Sequence, residues 1–292
     1  MTISASVVKE LRERTGAGMM DCKKALVETK GDADAAAELL RTTGQAKAEK
    51  KAGRIAAEGR VEIATDDSGR AVMLEINCET DFVAKDQNFL EFAQAAASLA
   101  LAKGPADVDA LLASSIPGAG ALEDARKSLI AKIGENIAVR RLSVMSASGA
   151  IGQYSHGNRI GVIVDVVGGD EDLRKDLAMH IAAASPVCIA ESDVPSEQLE
   201  RERRILTEQA ANEGKPPEIV ARMVEGRLKK FLAEVTLLGQ PFVKDPDITV
   251  AKLLAKHGAS VKGFARFEVG EGIEKKQEDF AAEVEAQVKA SR

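Results

Sequence analysis

The residues of this chain that are able to do chemistry form no recognisable catalytic set. The three histidines, His156, His180 and His257, stand apart from cysteine and acidic residues at metal-ligand spacing. No glycine-rich segment ends in Lys-Ser or Lys-Thr, as a phosphate-binding loop would. No Gly-x-Ser-x-Gly segment provides a nucleophile elbow. The sequence therefore favours a binding protein over an enzyme.

The most suggestive segment is 77–84. A predicted strand ends there, a polar turn follows, and two apolar residues come before the next helix. In one interpretation, Thr80 or Asp81 caps a helical turn and Phe82 fills the local core. In the other, Phe82 is exposed beside an acidic residue, a shape suited to entering a pocket of a partner protein. The local pattern alone favours the first interpretation.

Length and composition describe a multidomain protein with few aromatic residues. The 292 residues indicate two or three domains, and the hydrophobic content of 45% is sufficient for packed cores.

The net charge of −6 argues against nucleic acid as a direct ligand, because phosphate binding needs a basic surface. The densest basic cluster is interpreted as a solvated helix face, and it contains Lys47, Lys50, Lys51 and Arg54.

The cysteines and the hydrophobic pattern predict a cytoplasmic location. Cys22, Cys78 and Cys188 match no metal spacing and lie among apolar residues, so we expect buried free thiols in a reducing compartment. The N-terminus lacks the basic head and apolar run of a signal peptide. No stretch approaches the ~20 apolar residues of a membrane span, and no membrane partner is expected.

The first 55 residues read as three short helices. Apolar residues recur at helical spacing from Val7, a second apolar segment starts at Met19, and Asp32 or Asp34 is suited to cap a third helix. Three helices in so short a segment predict a bundle of the ubiquitin-associated type. The charged segment 47–57 is expected to form a linker helix leading out of it.

The rest of the chain predicts an α+β fold with a duplicated core. Alternating apolar residues and turn signals describe a hairpin followed by a helix, first around 61–99 and again around 152–184, about ninety residues later. Each unit is followed by one more strand, 137–144 in the first and 261–269 in the second. We expect two small antiparallel sheets, each backed by helices.

A helical hairpin and a C-terminal helix complete the predicted organisation. Helices at 196–212 and 218–238 flank a Gly-Lys-Pro-Pro break, which describes an arm that either packs only on itself or binds a second subunit. The tail from 273 to 288 is amphipathic. The expected domains are 1–55 (bundle), 56–148 (core subdomain N), 149–272 (core subdomain C, with the arm 196–238) and 273–292 (C-terminal helix).

Four segments in order along the chain resemble signatures of the elongation factor Ts family. They are Glu79-Thr80-Asp81-Phe82-Val83-Ala84 and the stretches at 11–26, 240–245 and 264–272. The predicted bundle, duplicated core, arm and C-terminal helix also resemble the organisation of that family. The resemblance implies guanine-nucleotide exchange on the GTPase elongation factor Tu during translation elongation, by a protein that is not an enzyme and needs no metal or cofactor.

The same resemblance assigns roles to individual residues. It implies that Asp81 and Phe82 enter between helices of elongation factor Tu and disturb the Mg²⁺ site of that partner, while Thr80 and Val83 shape and support the loop. It implies dimerisation through the arm. It also implies further contacts with the partner from Val8, Leu11, Met19, Met20, His156, Gly157 and Phe280, although a bundle core and a plain hairpin turn remain open for these residues.

Two other functions compete with nucleotide exchange. The bundle alone is typical of a scaffold or ubiquitin-like interaction module, which would leave the duplicated core without a role. An enzyme that uses a cleft between the two subdomains is the third hypothesis.

Overall fold

The computed structural model describes residues 3–118, 120–212 and 216–274. The α-helices are α1 (Ala5–Thr15), α2 (Met19–Glu28), α3 (Ala33–Lys51), α4 (Gln87–Lys103), α5 (Val108–Ala113), α6 (Leu122–Ile133), α7 (Glu171–Ala184), α8 (Ser196–Ala211), α9 (Pro217–Val235) and α10 (Val250–Lys256). The strands are β1 (Glu58–Thr65), β2 (Arg70–Cys78), β3 (Ser115–Ile116), β4 (Gly120–Ala121), β5 (Ile137–Ser146), β6 (Ala150–His156), β7 (Ile160–Val167), β8 (Pro241–Phe242), β9 (Asp245–Thr249) and β10 (Ser260–Glu268). Short 3₁₀ helices lie at Val83–Lys85 and Glu191–Asp193.

The first three helices form the predicted bundle. The Ser4 hydroxyl accepts a hydrogen bond at the start of α1, and Gly16 ends that helix in the left-handed conformation. The Asp32 carboxylate accepts hydrogen bonds from two backbone amides at the start of α3. The buried side chains of Leu11 and Leu26 pack between the helices. The caps and the apolar spacing therefore locate all three helices correctly.

The separate linker helix predicted at 47–57 is wrong, because α3 continues without a break to Lys51. The C-terminal half of α3 packs on α6, where a Cβ added to Gly44 would lie 3.2 Å from the Cβ of Ala131. Ala48 is buried in the core of the first sheet and its helices. Tertiary packing thus extends the helix beyond the bundle and joins the bundle to the core.

Three of the four residues in the basic cluster at 47–54 make contacts that hold the structure together. Lys47 Nζ lies 2.9 Å from an Asp21 carboxylate oxygen, and Lys51 Nζ donates to the backbone oxygen of Gly134. Arg54 pairs with Glu79 across 3.5 Å. The prediction of a simple solvated face is therefore incomplete.

Two three-stranded antiparallel sheets confirm the duplicated core. The first has the strand order β1-β2-β5 and the second β6-β7-β10, so the second strand of each hairpin is central. Equivalent glycines occupy the same place in both hairpins: a Cβ on Gly59 would lie 2.1 Å from the Ile76 oxygen, and one on Gly149 would lie 2.2 Å from the Val166 oxygen. Both positions exclude a side chain because the neighbouring backbone is too close.

Each sheet has helices on its outer face, and the two sheets pack on each other. Phe89 of α4 is fully buried against the first sheet, and Leu177 of α7 is buried against the second. Val61, Met73 and Ile163 belong to a further apolar cluster between the sheets. The centre of the seam is a packed core where the enzymatic hypothesis required a cleft.

Each central strand has a buried carboxylate, and that of Glu75 also joins the two sheets. Glu75 on β2 accepts a hydrogen bond from the Gly270 amide beyond β10 and pairs with Arg140 and Arg141 on β5. Burial by itself raises the pKa of the Glu75 carboxyl, but hydrogen bonds from these groups outweigh it and hold the pKa below its usual value. On β7, the Asp165 carboxylate accepts from two backbone amides in the connection that follows β5.

The helical arm is confirmed as a hairpin of α8 and α9. Its own apolar cluster includes the buried side chains of Leu206, Val224 and Leu228. Of the predicted C-terminal helix, residues 273 and 274 are described and are not helical. The remainder, with Phe280, lies outside the described residues. None of the described helices has the length and apolar character needed to cross a bilayer.

The cysteines and His180 have clear positions in the structure. Cys22 and Cys78 are buried free thiols, whereas Cys188 is only half-buried. His180 is fully buried, with Nε2 3.0 Å from Gln240 Oε1 and Nδ1 accepting from the Val243 amide. Burial lowers the pKa of this histidine. Because both ring nitrogens have hydrogen-bond partners, His180 is a satisfied core residue.

Candidate functional site

The connection between β2 and α4 contains the residues singled out at 80–83. It spans residues 79–86 and includes the 3₁₀ turn Val83–Lys85. Asp86 ends it by accepting a hydrogen bond from the Asn88 amide at 2.9 Å, which caps α4. We call residues 79–83 the tip. The surrounding strand and helix fix both ends of the tip.

Phe82 and Val83 face opposite environments. The Phe82 side chain is 81% exposed, whereas Val83 is 9% exposed and packs in the core of the first sheet. Side chains in a 3₁₀ turn are separated by about 120°, so neighbours in sequence point in different directions. The interpretation of Phe82 as a core residue is therefore wrong, and Val83 has that role. An exposed phenyl ring is unusual in a chain whose aromatic content is 3%.

Asp81 is the acidic neighbour of this ring. Its carboxylate lies 2.9 Å from Lys85 Nζ, and both side chains are exposed. The hydrogen bond from Lys85 lowers the pKa of Asp81, so the carboxylate is ionised at neutral pH. The tip thus presents a phenyl ring beside a salt-bridged carboxylate.

Thr80 is anchored by a residue that the sequence did not single out. Glu135 lies in the connection between α6 and β5, and its carboxylate accepts hydrogen bonds from the Thr80 amide at 3.0 Å and the Thr80 hydroxyl at 2.7 Å. The same carboxylate accepts from the Glu79 amide at 3.1 Å. The Thr80 oxygen also accepts a hydrogen bond from the Cys78 thiol.

The Glu79 side chain makes the reciprocal contact. Its carboxylate accepts from the Asn136 amide at 2.6 Å, and Asn136 Nδ2 donates to the Arg54 oxygen at 2.8 Å. The signal for this network is strand register: Cys78 pairs with Ile137, so the residues after β2 lie opposite those before β5. The sequence located both strands but gave no means of pairing them.

The hairpin turn with His156 and Gly157 lies toward the same end of the first sheet. The Asn158 oxygen accepts a hydrogen bond from the Val61 amide at 2.8 Å, and Arg159 pairs with Glu58 at 2.6 Å. Glu58 in turn is the register partner of Cys78, the residue before the tip. His156 and Gly157 are both exposed. The structure therefore brings the turn and the tip toward one end of the molecule.

The bundle residues divide into two groups. Val8 and Leu11 are buried in the bundle core, where their side chains have almost no surface for a partner. Met19 and Met20, at the start of α2, are more than half exposed. Within the described ranges, no group of three or more His, Cys, Asp and Glu side chains is placed to hold a metal ion.

Comparisons with known proteins cover most or all of the chain. The family model described as Elongation factor TS matches residues 79–271. A protein named Elongation factor Ts from Thioalkalivibrio sulfidiphilus is 61% identical over 294 residues, with 100% of both chains covered. Proteins of the same name from Alkalilimnicola ehrlichii and Methylococcus capsulatus are 58% and 56% identical, again with 100% of both chains covered.

Proposed function

The chain belongs to the elongation factor Ts family, and from that membership we propose that it promotes GDP release from elongation factor Tu during translation elongation. The observation that carries this proposal is Phe82, an 81% exposed ring on a loop whose backbone is fixed on both sides. Exposed aromatic residues in fixed surroundings are typical anchors of protein–protein interfaces. The protein acts by binding and catalyses no chemical reaction of its own.

The proposed target of the tip is the Mg²⁺ site of the partner. A GTPase holds its nucleotide through a phosphate loop and a Mg²⁺ ion, and Mg²⁺ requires near-ideal octahedral geometry. Phe82 enters between helices of the GTPase domain as an apolar wedge, and Asp81 makes the polar contact beside it. Thr80 and Val83 hold the loop in shape. A small displacement of the ligands of the ion is then sufficient to weaken GDP binding.

Nucleotide exchange of this kind is a thermodynamic coupling. The factor and GDP lower each other's affinity for the GTPase by the same ratio, and couplings of ~1–3 kcal/mol correspond to about 5–150-fold. The factor itself does not select GTP over GDP. The supply of free nucleotide therefore decides which one refills the emptied site.

Secondary contacts with the partner are proposed at the second hairpin turn and on the bundle. His156 and Gly157 are exposed in a turn that is tied to β1 near the tip. Met19 and Met20 offer flexible apolar side chains on the bundle surface, and thioether groups adapt well to irregular partner surfaces. Val8 and Leu11 support this surface from inside the bundle.

We propose that the arm mediates homodimerisation. It has its own apolar cluster, and Ile205 and Ile219 remain exposed on its two helices. Replacement of residues 199–232 by a short Gly-Ser linker leaves Val235 and the buried Leu237 in place. We expect the mass measured by light scattering to fall from dimer to monomer with the core still folded. An unchanged mass would exclude the arm as the dimer contact.

The division into bundle (1–55), subdomain N (56–148), subdomain C (149–272) and C-terminal segment (273–292) is also a proposal. The first three have their own buried apolar clusters, which supports the division.

The direct test is the release of fluorescent GDP from purified elongation factor Tu in excess unlabelled GDP. We expect acceleration that saturates with the concentration of the factor, whereas no acceleration would reject nucleotide exchange. Turnover of a metabolite without the GTPase would favour the enzymatic hypothesis. Binding to elongation factor Tu without acceleration would favour a scaffold module.

The Mg²⁺ route has a separate test. EDTA chelates Mg²⁺ and so removes the contribution of the ion to GDP binding, which the tip is proposed to weaken. The acceleration ratio should therefore be much smaller in EDTA than in millimolar Mg²⁺. An equal ratio in both conditions would leave exchange intact but contradict the Mg²⁺ route.

A further inference from the structure

We propose that Glu135 is a positioning residue that holds the tip in the shape that acts on elongation factor Tu; this inference rests on the proposed function. Glu135 is separated from the tip by more than fifty residues of sequence, yet it accepts three hydrogen bonds there, from the Glu79 amide, the Thr80 amide and the Thr80 hydroxyl. Its distances of 2.7–3.1 Å are those of good hydrogen bonds. An ionised acceptor makes such bonds stronger than neutral pairs.

The contact is reciprocal, which fixes both connections. Glu79 sends its carboxylate back to the Asn136 amide at 2.6 Å, while Glu135 receives the amides of Glu79 and Thr80. Each glutamate therefore binds the backbone beside the other. The side chain of Asn136 extends the network to the Arg54 oxygen, beyond the end of α3.

The active side chains of the tip have little support of their own. Phe82 is 81% exposed, and Asp81 is held by an exposed pair with Lys85. Their direction is set by the backbone at Thr80 on one side and by buried Val83 on the other. A loop held in its bound shape loses less conformational freedom on binding, which raises affinity without a new contact. Glu135 is therefore expected to act through Phe82 and to touch no partner group.

The first test measures positioning without the partner. The chain contains no tryptophan, so Phe82→Trp introduces one reporter at the tip. We compare its fluorescence anisotropy with and without Glu135→Ala. We expect the anisotropy to fall toward the value measured in denaturant, and Glu135→Gln, which keeps an acceptor oxygen, to restore part of it. Unchanged anisotropy would overturn the proposal, whether or not the protein exchanges nucleotide.

The second test asks whether Glu135 acts through Phe82. In the GDP-release assay at sub-saturating factor, we expect Glu135→Ala to lower the rate by about 10-fold, because a mobile tip binds the GTPase more weakly. In a Phe82→Ala background, Glu135→Ala should change the rate by less than about 2-fold, since the group that it positions is already gone. Additive losses would show that Glu135 acts independently and would overturn the proposal.

A matched control separates positioning from general damage. Glu91 is an exposed glutamate on α4, and the only described hydrogen bond of its side chain is with Gln87. Glu91→Ala should leave both the anisotropy and the exchange rate unchanged. Rates are compared per folded molecule, with the folded fraction taken from circular dichroism. If Glu135→Ala lost exchange only in proportion to its folded fraction, Glu135 would be merely structural.

Discussion

The two copies of the strand–strand–helix unit differ most in the connection after their central strand. In the first copy, residues 79–86 lead from β2 to α4; in the second, residues 168–170 lead from β7 to α7. Both connections end in an aspartate that caps the helix, Asp86 in one and Asp170 in the other. Gly168 and Gly169 have positive φ and close the second connection tightly. The longer connection alone presents an exposed aromatic ring.

This difference shows how a duplicated framework acquires a specific surface. The sheets, the central-strand carboxylates and the capped helices are common to both copies and supply rigidity. The additional residues of the first connection supply Thr80, Asp81, Phe82 and Val83. Loops on a rigid scaffold are the usual place for binding residues, because their sequence can change while the core remains packed.

The largest expected effect on stability concerns the central-strand carboxylates. Glu75→Ala leaves Arg140 and Arg141 without their shared buried partner, and breaking such a buried pair costs about 3–5 kcal/mol of unfolding free energy. Asp165→Ala leaves only backbone amides unsatisfied, at about 1–3 kcal/mol. Urea unfolding of both variants measures the difference. Equal losses of unfolding free energy would contradict the larger contribution that we assign to Glu75.

Shortening the first connection tests the contrast in function. Replacement of residues 79–85 by Gly-Gly, with Asp86 retained, copies the second connection. We expect the rate of GDP release per folded molecule to fall by roughly 100-fold, as for loss of an interface hot spot. The control is Glu171→Ala, an exposed change beside the second connection that leaves the tip untouched. Exchange that survives the shortening would place the active surface elsewhere.

The pH dependence of stability tests the central-strand carboxylate of the first copy, Glu75. The folded-state pKa of Glu75 lies below its usual value of 4.5, so its contribution is complete above that value and is lost as the pH falls through the folded pKa. The stability of the wild type should therefore decline more steeply below pH 4.5 than that of Glu75→Gln. Parallel curves from urea titrations at several pH values would contradict this.

The helical and strand framework was largely predictable from the sequence, whereas the tip contacts were not. Local caps such as Asp32 and alternating strands reveal themselves within a few residues, as do the turns between them. The exposure of Phe82 depends on the direction of a 3₁₀ turn, and the Glu135 contact depends on the register of β2 with β5. The extension of α3 to Lys51 likewise follows from packing on α6. These features are tertiary, so local spacing carries no signal for them.

The smallest expected effect concerns the turn of the second copy. His156 is exposed, and the only described polar contact of its side chain is with the Tyr154 hydroxyl at 3.3 Å. We expect His156→Ala to slow GDP release by about 2–5-fold without a change in melting temperature, as for a peripheral interface residue. The exposed Asp67→Ala in the corresponding turn of the first copy is the control. A loss as large as that from the shortened tip would give the two copies equal roles.

The most direct measurement compares two phenylalanines on either side of the α4 cap, Phe82 in the tip and Phe89 in the core. For Phe82→Ala, we predict GDP release at least about 30-fold slower per folded molecule, with unfolding free energy within ~0.5 kcal/mol of the wild type. For Phe89→Ala, which removes a fully buried ring, we predict a loss of about 3–5 kcal/mol of stability with exchange per folded molecule retained. If Phe82→Ala exchanged nucleotide at the wild-type rate, the tip would not be the active surface.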